Sequence, residues 1–125
     1  MKYKFATAIN CIDGRVQKPI IEFVINRFKV DYVDMVTEPG PDRVLSENKS
    51  TDIIESIKRC VSLSVERNSS TNIIIAGHHD CKANPVDKEE HCRQIKESVN
   101  KIKEWNLKID VYGAWIGEDW KAVLL

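Results

Sequence analysis

Apolar and polar positions follow two rhythms along this chain. Residues 2–10, KYKFATAIN, gather Phe5, Ala6, Ala8 and Ile9 into a short, mostly buried run that predicts a first strand. In residues 18–28 the apolar side chains fall at 20, 21, 24, 25 and 28, the spacing of an amphipathic helix. Pro19 fits the first turn of that helix, where a missing N–H costs nothing. Residues 30–36 alternate with a period of two and end in TEPGPD at 37–42, which reads as a strand followed by a loop. A second helix opens on a capping box from Asp52 to Glu55 and carries Ile53, Ile54, Ile57, Val61 and Val65 as its apolar stripe. NIIIAG at 72–77 is a continuously apolar strand, of the kind buried on both faces of a parallel sheet. A third helix over about 87–104, a strand over 107–116 and a short last strand over 120–125 complete the pattern.

Strands separated by helices predict an α/β fold: one domain over 1–125, built on an open parallel sheet flanked by helices. Right-handed crossovers favour the strand order 2-1-3-4, with the last segment as an extra edge strand. In that order the chain reverses direction around strands one and three, so a crevice opens beyond their carboxyl ends. Composition changes little in this picture. The apolar share is 42%, and 19 basic residues balance 19 acidic ones, which gives no footprint for nucleic acid and no polybasic membrane anchor. No apolar run reaches the roughly 20 residues of a membrane span, and the start does not read as a secretory signal. A cytoplasmic location is therefore expected, where four cysteines are metal ligands or buried thiols rather than disulfides.

The chemistry lies at those two strand ends. AINCIDGRVQKP at 8–19 presents Cys11, Asp13 and Arg15 at alternate positions just past the first strand. AGHHDCKANP at 76–85 offers His78, His79, Asp80 and Cys81 just past the third. A short turn brings i and i+3 to one side, so His78 and Cys81 can join Cys11 on a single ion. Two cysteines and a histidine form a soft donor set that suits Zn²⁺, and three protein ligands leave a fourth position open for chemistry. His79 is the alternative imidazole.

CIDGR resembles the C-x-D-x-R motif of β-class carbonic anhydrases, and GHHDC resembles that family's G-H-x-x-C motif. The similarity runs over nearly the whole chain, through the helix before strand three and the closing DVYGAWIGEDWKAVLL. The resemblance implies that Cys11, His78 and Cys81 bind zinc, with water or hydroxide in the fourth position. It implies that Asp13 accepts a hydrogen bond from that water and that Arg15 pairs with Asp13 and holds it off the metal. The implied reaction is attack of zinc-bound hydroxide on CO2 to give bicarbonate. Hydrolysis of carbonyl sulfide or carbon disulfide is the nearby alternative, and a non-catalytic zinc module closed by Asp13 is the other. The resemblance also implies a homodimer or higher homo-oligomer. The chain departs from the family pattern at Gly14, where serine is common, and at Lys82, where glycine usually follows the second cysteine. Ten residues precede Cys11, where familiar members carry a helical arm that helps to line the substrate pocket.

The remaining candidates take plainer readings. Asp80 caps the turn, and Cys60 falls on the core side of the second helix. His91 and Cys92 are adjacent on a helix and point about 100° apart, too far for one ion. Gly40 and Arg43 belong to a loop bordering the crevice, and Trp115 and Trp120 serve packing or an interface.

Overall fold

The computed structural model describes residues 2–125. Strand β1 (Phe5–Asn10) leads through helix α1 (Gly14–Phe28) to β2 (Tyr32–Thr37). Helices α2 (Pro41–Glu47) and α3 (Thr51–Asn68) precede β3 (Asn72–His78), and α4 (Lys88–Lys103) precedes β4 (Asp110–Ile116) and β5 (Ala122–Leu124). The sheet order is β2-β1-β3-β4-β5, as expected for the first four strands. Those four are parallel, and β5 is an antiparallel edge strand on β4. Among the described residues no helix is long and apolar enough to cross a membrane.

The apolar run in β3 is explained by its two covered faces. Ile74 and Ala76 pack with Ala6, Ala8 and the α1 residues Val16, Ile20 and Val24. Ile73 and Ile75 point the other way, into Leu45 of α2, Ile57 and Val61 of α3, and Ile95 of α4. Ile75 is fully buried. Cutting it back to alanine is expected to cost about 2–5 kcal/mol, because the rigid sheet cannot collapse into the space. Ile9 of β1 stands beside Ile75 of β3 in the parallel register. Cys11 comes two residues after Ile9 and His78 three after Ile75, so the fold brings both motifs to one end of two neighbouring strands.

Several expectations are corrected. Helix α1 begins at Gly14 rather than at 18, because Asp13 caps it; its side chain accepts from the Arg15 N–H. Pro19 consequently lies inside the helix instead of in its first turn, and one backbone hydrogen bond is lost there. The loop expected at 37–42 is shorter than that: β2 runs to Thr37 and a short helix, α2, opens at Pro41, with Gly40 in the left-handed region at φ 55°. The capping box of the second helix does not form: α3 starts after Ser50, with no side-chain cap. Cys60 is exposed rather than in the core, and Ile53 is also exposed; Ile54, Ile57 and Val61 carry the buried stripe.

Candidate metal centre

Cys11 sits in the turn between β1 and α1, and two amides fix it there. Asn10 Nδ2 donates to the Cys11 carbonyl at 3.1 Å, and Gln17 Nε2 donates to the same carbonyl at 2.7 Å and to that of Asp13 at 2.9 Å. His78 closes β3. The next residue continues the sheet pairing, His79 N–H donating to the Ile116 carbonyl at 2.8 Å. A tight turn with Asp80 at φ 56° then folds Cys81 back. Cys11, His78 and Cys81 are all buried, and one donor atom from each lies within 4.8 Å of the others. Among the described residues this is the one group of three or more His, Cys, Asp or Glu side chains that converge so closely.

Three features make the group a fit for a soft divalent ion. The two sulfurs are 3.9 Å apart, far beyond a disulfide bond. Two Zn–S bonds of about 2.3 Å at a tetrahedral angle would span about 3.8 Å. The His78 Nδ1 lies 2.7 Å from the His79 carbonyl, an acceptor, so Nδ1 carries the proton and Nε2 holds the free lone pair. That Nε2 is buried and meets no hydrogen-bond partner of normal geometry. An orphaned, buried acceptor beside two thiols is costly unless something electron-poor joins it.

Electrostatics point the same way. Cys11 is held far below the ordinary thiol range, first by the hydrogen bond from Cys81, then by His78 and by the backbone N–H groups of Gly40 and Asp13. Burial alone would raise it. Cys81 is pushed up, chiefly because its thiol donates a hydrogen bond to Cys11 and because it is buried, while the N–H groups of Asn84 and Ala83 oppose this. The pair thus sheds one proton readily and holds a shared second one, which a cation can replace. Burial pushes the His78 ring down, but Cys11 and the His79 carbonyl favour its protonated form, and the net shift is upward.

Asp13 does not join the converging group. Arg15 grips it at two points, Nε on Oδ1 at 3.1 Å and Nη2 on Oδ2 at 2.7 Å. Those bonds pull the carboxyl down to about 2. Arg15 also reaches Asp80 Oδ2 at 3.2 Å and lies over the Trp120 ring at 4.5 Å. Asp80 is therefore an ion-pair partner as well as a turn residue, a role that only the fold reveals.

The rival candidates are placed elsewhere. His79 supplies its carbonyl to His78 and packs edge-on against Trp120. His91 is buried against Asp42 and Trp115, and neither it nor Cys92 belongs to the converging group. Arg43 pairs with Glu47 on the exposed face of α2. Gly40 matters through its backbone, and no sequence signal marked that.

A family model described as "Putative carbonic anhydrase" matches residues 1–125. The chain belongs to this carbonic anhydrase family. No curated protein matches it. Its fold is that of solved carbonic anhydrases at low sequence identity. A tetrameric β-carbonic anhydrase of Sordaria macrospora superposes with a TM-score of 0.62 at 14% identity, covering 100% of this chain and 82% of that one. The β-carbonic anhydrase CafA of Aspergillus fumigatus gives 0.62 at 11% identity, covering 98% and 76%. A carbonic anhydrase from Glaciozyma antarctica gives 0.58 at 17% identity, covering 94% and 80%. This family member thus keeps the sheet on which those enzymes are built.

Proposed function

We propose that the chain binds zinc through Cys11, His78 and Cys81 and catalyses reversible hydration of CO2 to bicarbonate. The observation that carries the reading is the buried, unpartnered Nε2 of His78 beside two sulfurs, in a chain of the carbonic anhydrase family. When bound there, zinc supplies the Lewis acidity that makes water a nucleophile near neutral pH. Two thiolates neutralise its charge and blunt that acidity, so activity should rise with pH through a transition above about 7.

Asp13 acts as an acceptor. With its pKa at about 2 it stays ionised and is a poor proton store. Its Oδ2 takes a single bond from Arg15 and keeps capacity to accept the hydrogen bond of the attacking water. The proton itself then leaves through solvent. Arg15, held by Asp13, Asp80 and Trp120, keeps the carboxylate from swinging onto the ion. That grip favours an open, catalytic site over a closed, non-catalytic one. A cytoplasmic setting suits the reading, since it keeps Cys11 and Cys81 reduced. Self-association also belongs to it: β5 leaves an edge with Val123 and Leu125 exposed, and sedimentation at tens of micromolar should find at least a dimer.

Metal analysis with stopped-flow CO2 hydration tests the proposal, with carbonyl sulfide and carbon disulfide as further substrates. The expected result is about one zinc per chain. Asp13→Asn should keep that zinc and lose about 10²-fold or more in turnover. A fully zinc-loaded wild type without CO2 hydration between about pH 6 and about pH 9 would overturn the catalytic reading.

A further inference from the structure

A buried polar network lies beneath the metal centre, and the chemistry above makes no use of it. Asp42, Asn84 and His91 are each 1% exposed, on α2, on the loop after Cys81 and on α4 respectively. His91 Nδ1 is 2.6 Å from Asp42 Oδ2, and because a carboxylate only accepts, the ring donates. Asn84 Nδ2 donates to Asp42 Oδ1 at 3.1 Å and to Gln94 Oε1 at 2.6 Å. Ser98 Oγ donates to the Asp42 carbonyl at 3.1 Å. The His91 ring packs on Trp115, with ring centroids 5.2 Å apart.

Two glycines show how tightly the network closes. A Cβ on Gly77, next to His78, would lie 2.6 Å from Asp42 Oδ2. A Cβ on Gly40 would lie 3.1 Å from the Asn84 Cβ and 3.4 Å from the Ala83 carbonyl oxygen. The start of α2 is therefore seated directly on the loop that carries Cys81. Arg43 Nη1 adds an outer bond to the Ala83 carbonyl at 3.4 Å. The N–H groups of Gly40 and Asp13 favour the Cys11 thiolate, and those of Asn84 and Ala83 favour the Cys81 thiolate. Asn84 N–H also donates to the Cys81 carbonyl at 3.3 Å.

We propose that Asp42, Asn84 and His91 are positioning residues for the metal centre, clamping the start of α2 to the Cys81 loop so that the two sulfurs keep their spacing. The inference rests on the proposed zinc site. Burying an aspartate with a histidine is not a cheap way to gain stability, since an apolar pair of equal size often does as well. A role in holding ligands gives a reason for the charge. The clamp joins segments that the sheet does not join, so loosening it changes the direction and basicity of both thiolates.

The test compares the full chain with Asp42→Asn, Asn84→Ser and a control, Asp34→Asn. Asp34 sits in a separate partly buried network, accepting from Ser64 at 2.6 Å and Asn68 at 2.8 Å, and shares no residue with the clamp. Zinc affinity is read by competition with a chromogenic chelator, and ligand geometry by the thiolate charge-transfer and d–d bands of bound Co²⁺. Asp42→Asn should weaken zinc by roughly 10- to 100-fold and alter the cobalt bands. Asn84→Ser keeps the Asp42–His91 pair, provides the second arm should Asp42→Asn not fold, and should show the same loss. Asp34→Asn should lower the melting temperature while leaving affinity and bands unchanged. Wild-type affinity and spectrum in the folded clamp variants would overturn the clamp and leave the zinc reading intact. Equal loss in Asp34→Asn would also overturn it, by reducing the effect to general stability. A wild type that takes up neither ion would overturn both readings.

Discussion

Gly77→Ala is the sharpest single perturbation of this architecture. The added methyl would stand 2.6 Å from Asp42 Oδ2, 2.9 Å from Ile95 Cδ1 and 3.3 Å from His91 Nδ1. The Ile95 contact is cheap, because a terminal methyl can turn aside. The carboxylate cannot. It needs about 0.8 Å to reach ordinary contact, and a movement of that size away from β3 breaks its 2.6 Å bond to His91. Overpacking costs about 1–3 kcal/mol. A buried group left without its partner costs about 1–3 kcal/mol more. The central expectation is a loss of about 4 kcal/mol, which at about 2.1 cal/mol/K per residue lowers the melting temperature by about 15 °C. Gly113→Ala is the control, since its Cβ would meet only methyls, Ile95 Cγ2 at 2.6 Å and Val99 Cγ2 at 3.4 Å. It should show the overpacking cost alone. Urea unfolding of both variants, metal-free so that ligand binding does not shift the curves, measures the difference. If Gly77→Ala were no less stable than Gly113→Ala, Asp42 would not be locked in place.

Gly14→Ala should raise stability by about 0.4–1 kcal/mol, since the position is helical and nothing lies within 4 Å of the new methyl; a fall in the urea midpoint would contradict this. Arg15→Ala should return the Asp13 carboxyl from about 2 toward the ordinary range, read by NMR titration. Because the folded value is depressed, the stability lost in that variant should appear above about pH 4 and fade as pH falls toward about 2. Alanine at Cys11, His78 or Cys81 should each abolish zinc uptake in metal analysis, whereas Cys60→Ala and Cys92→Ala should keep it.

The strand order and the convergence of Cys11 with His78 and Cys81 were legible because both follow from local rules. Period and breakers mark the strands, handedness orders them, and the reversal point fixes where loops meet. The clamp was not legible for a physical reason. Asp42, Asn84, His91 and Gln94 are polar types that usually face water, and only the fold shows that they satisfy one another in the interior. Cys60 failed in the opposite direction. A cysteine near an apolar stripe was expected in the core, but the stripe of α3 is narrow, with Ile54, Ile57, Val61 and Ser64 filling the buried face. Asp13 carried two signals at once, a motif carboxylate and a helix cap. Reading it as the first alone delayed the start of α1 to 18.

Lys82, one of the two departures from the family pattern, acquires a meaning from its neighbours. Its Nζ lies 2.9 Å from Asp80 Oδ1, while Asp80 Oδ2 reaches Arg15 and Arg15 grips Asp13. Four charges thus alternate in sign along one rim of the candidate centre. Water screens each exposed pair, so their effect on stability is small. Orientation is another matter, because Asp13 and Asp80 compete for a single guanidinium. Both carboxyls are shifted down, Asp13 chiefly by Arg15 but Asp80 first by Lys82. With Lys82 attending to Asp80, Arg15 is free to give Asp13 its Nε and Nη2 and spare Asp80 the weaker 3.2 Å contact from Nη1. A glycine at this position would leave Asp80 with Arg15 as its ion-pair partner and would weaken the hold on Asp13. On the proposed mechanism the lysine would therefore work for the same end as the arginine, keeping one carboxylate facing the site without letting it enter.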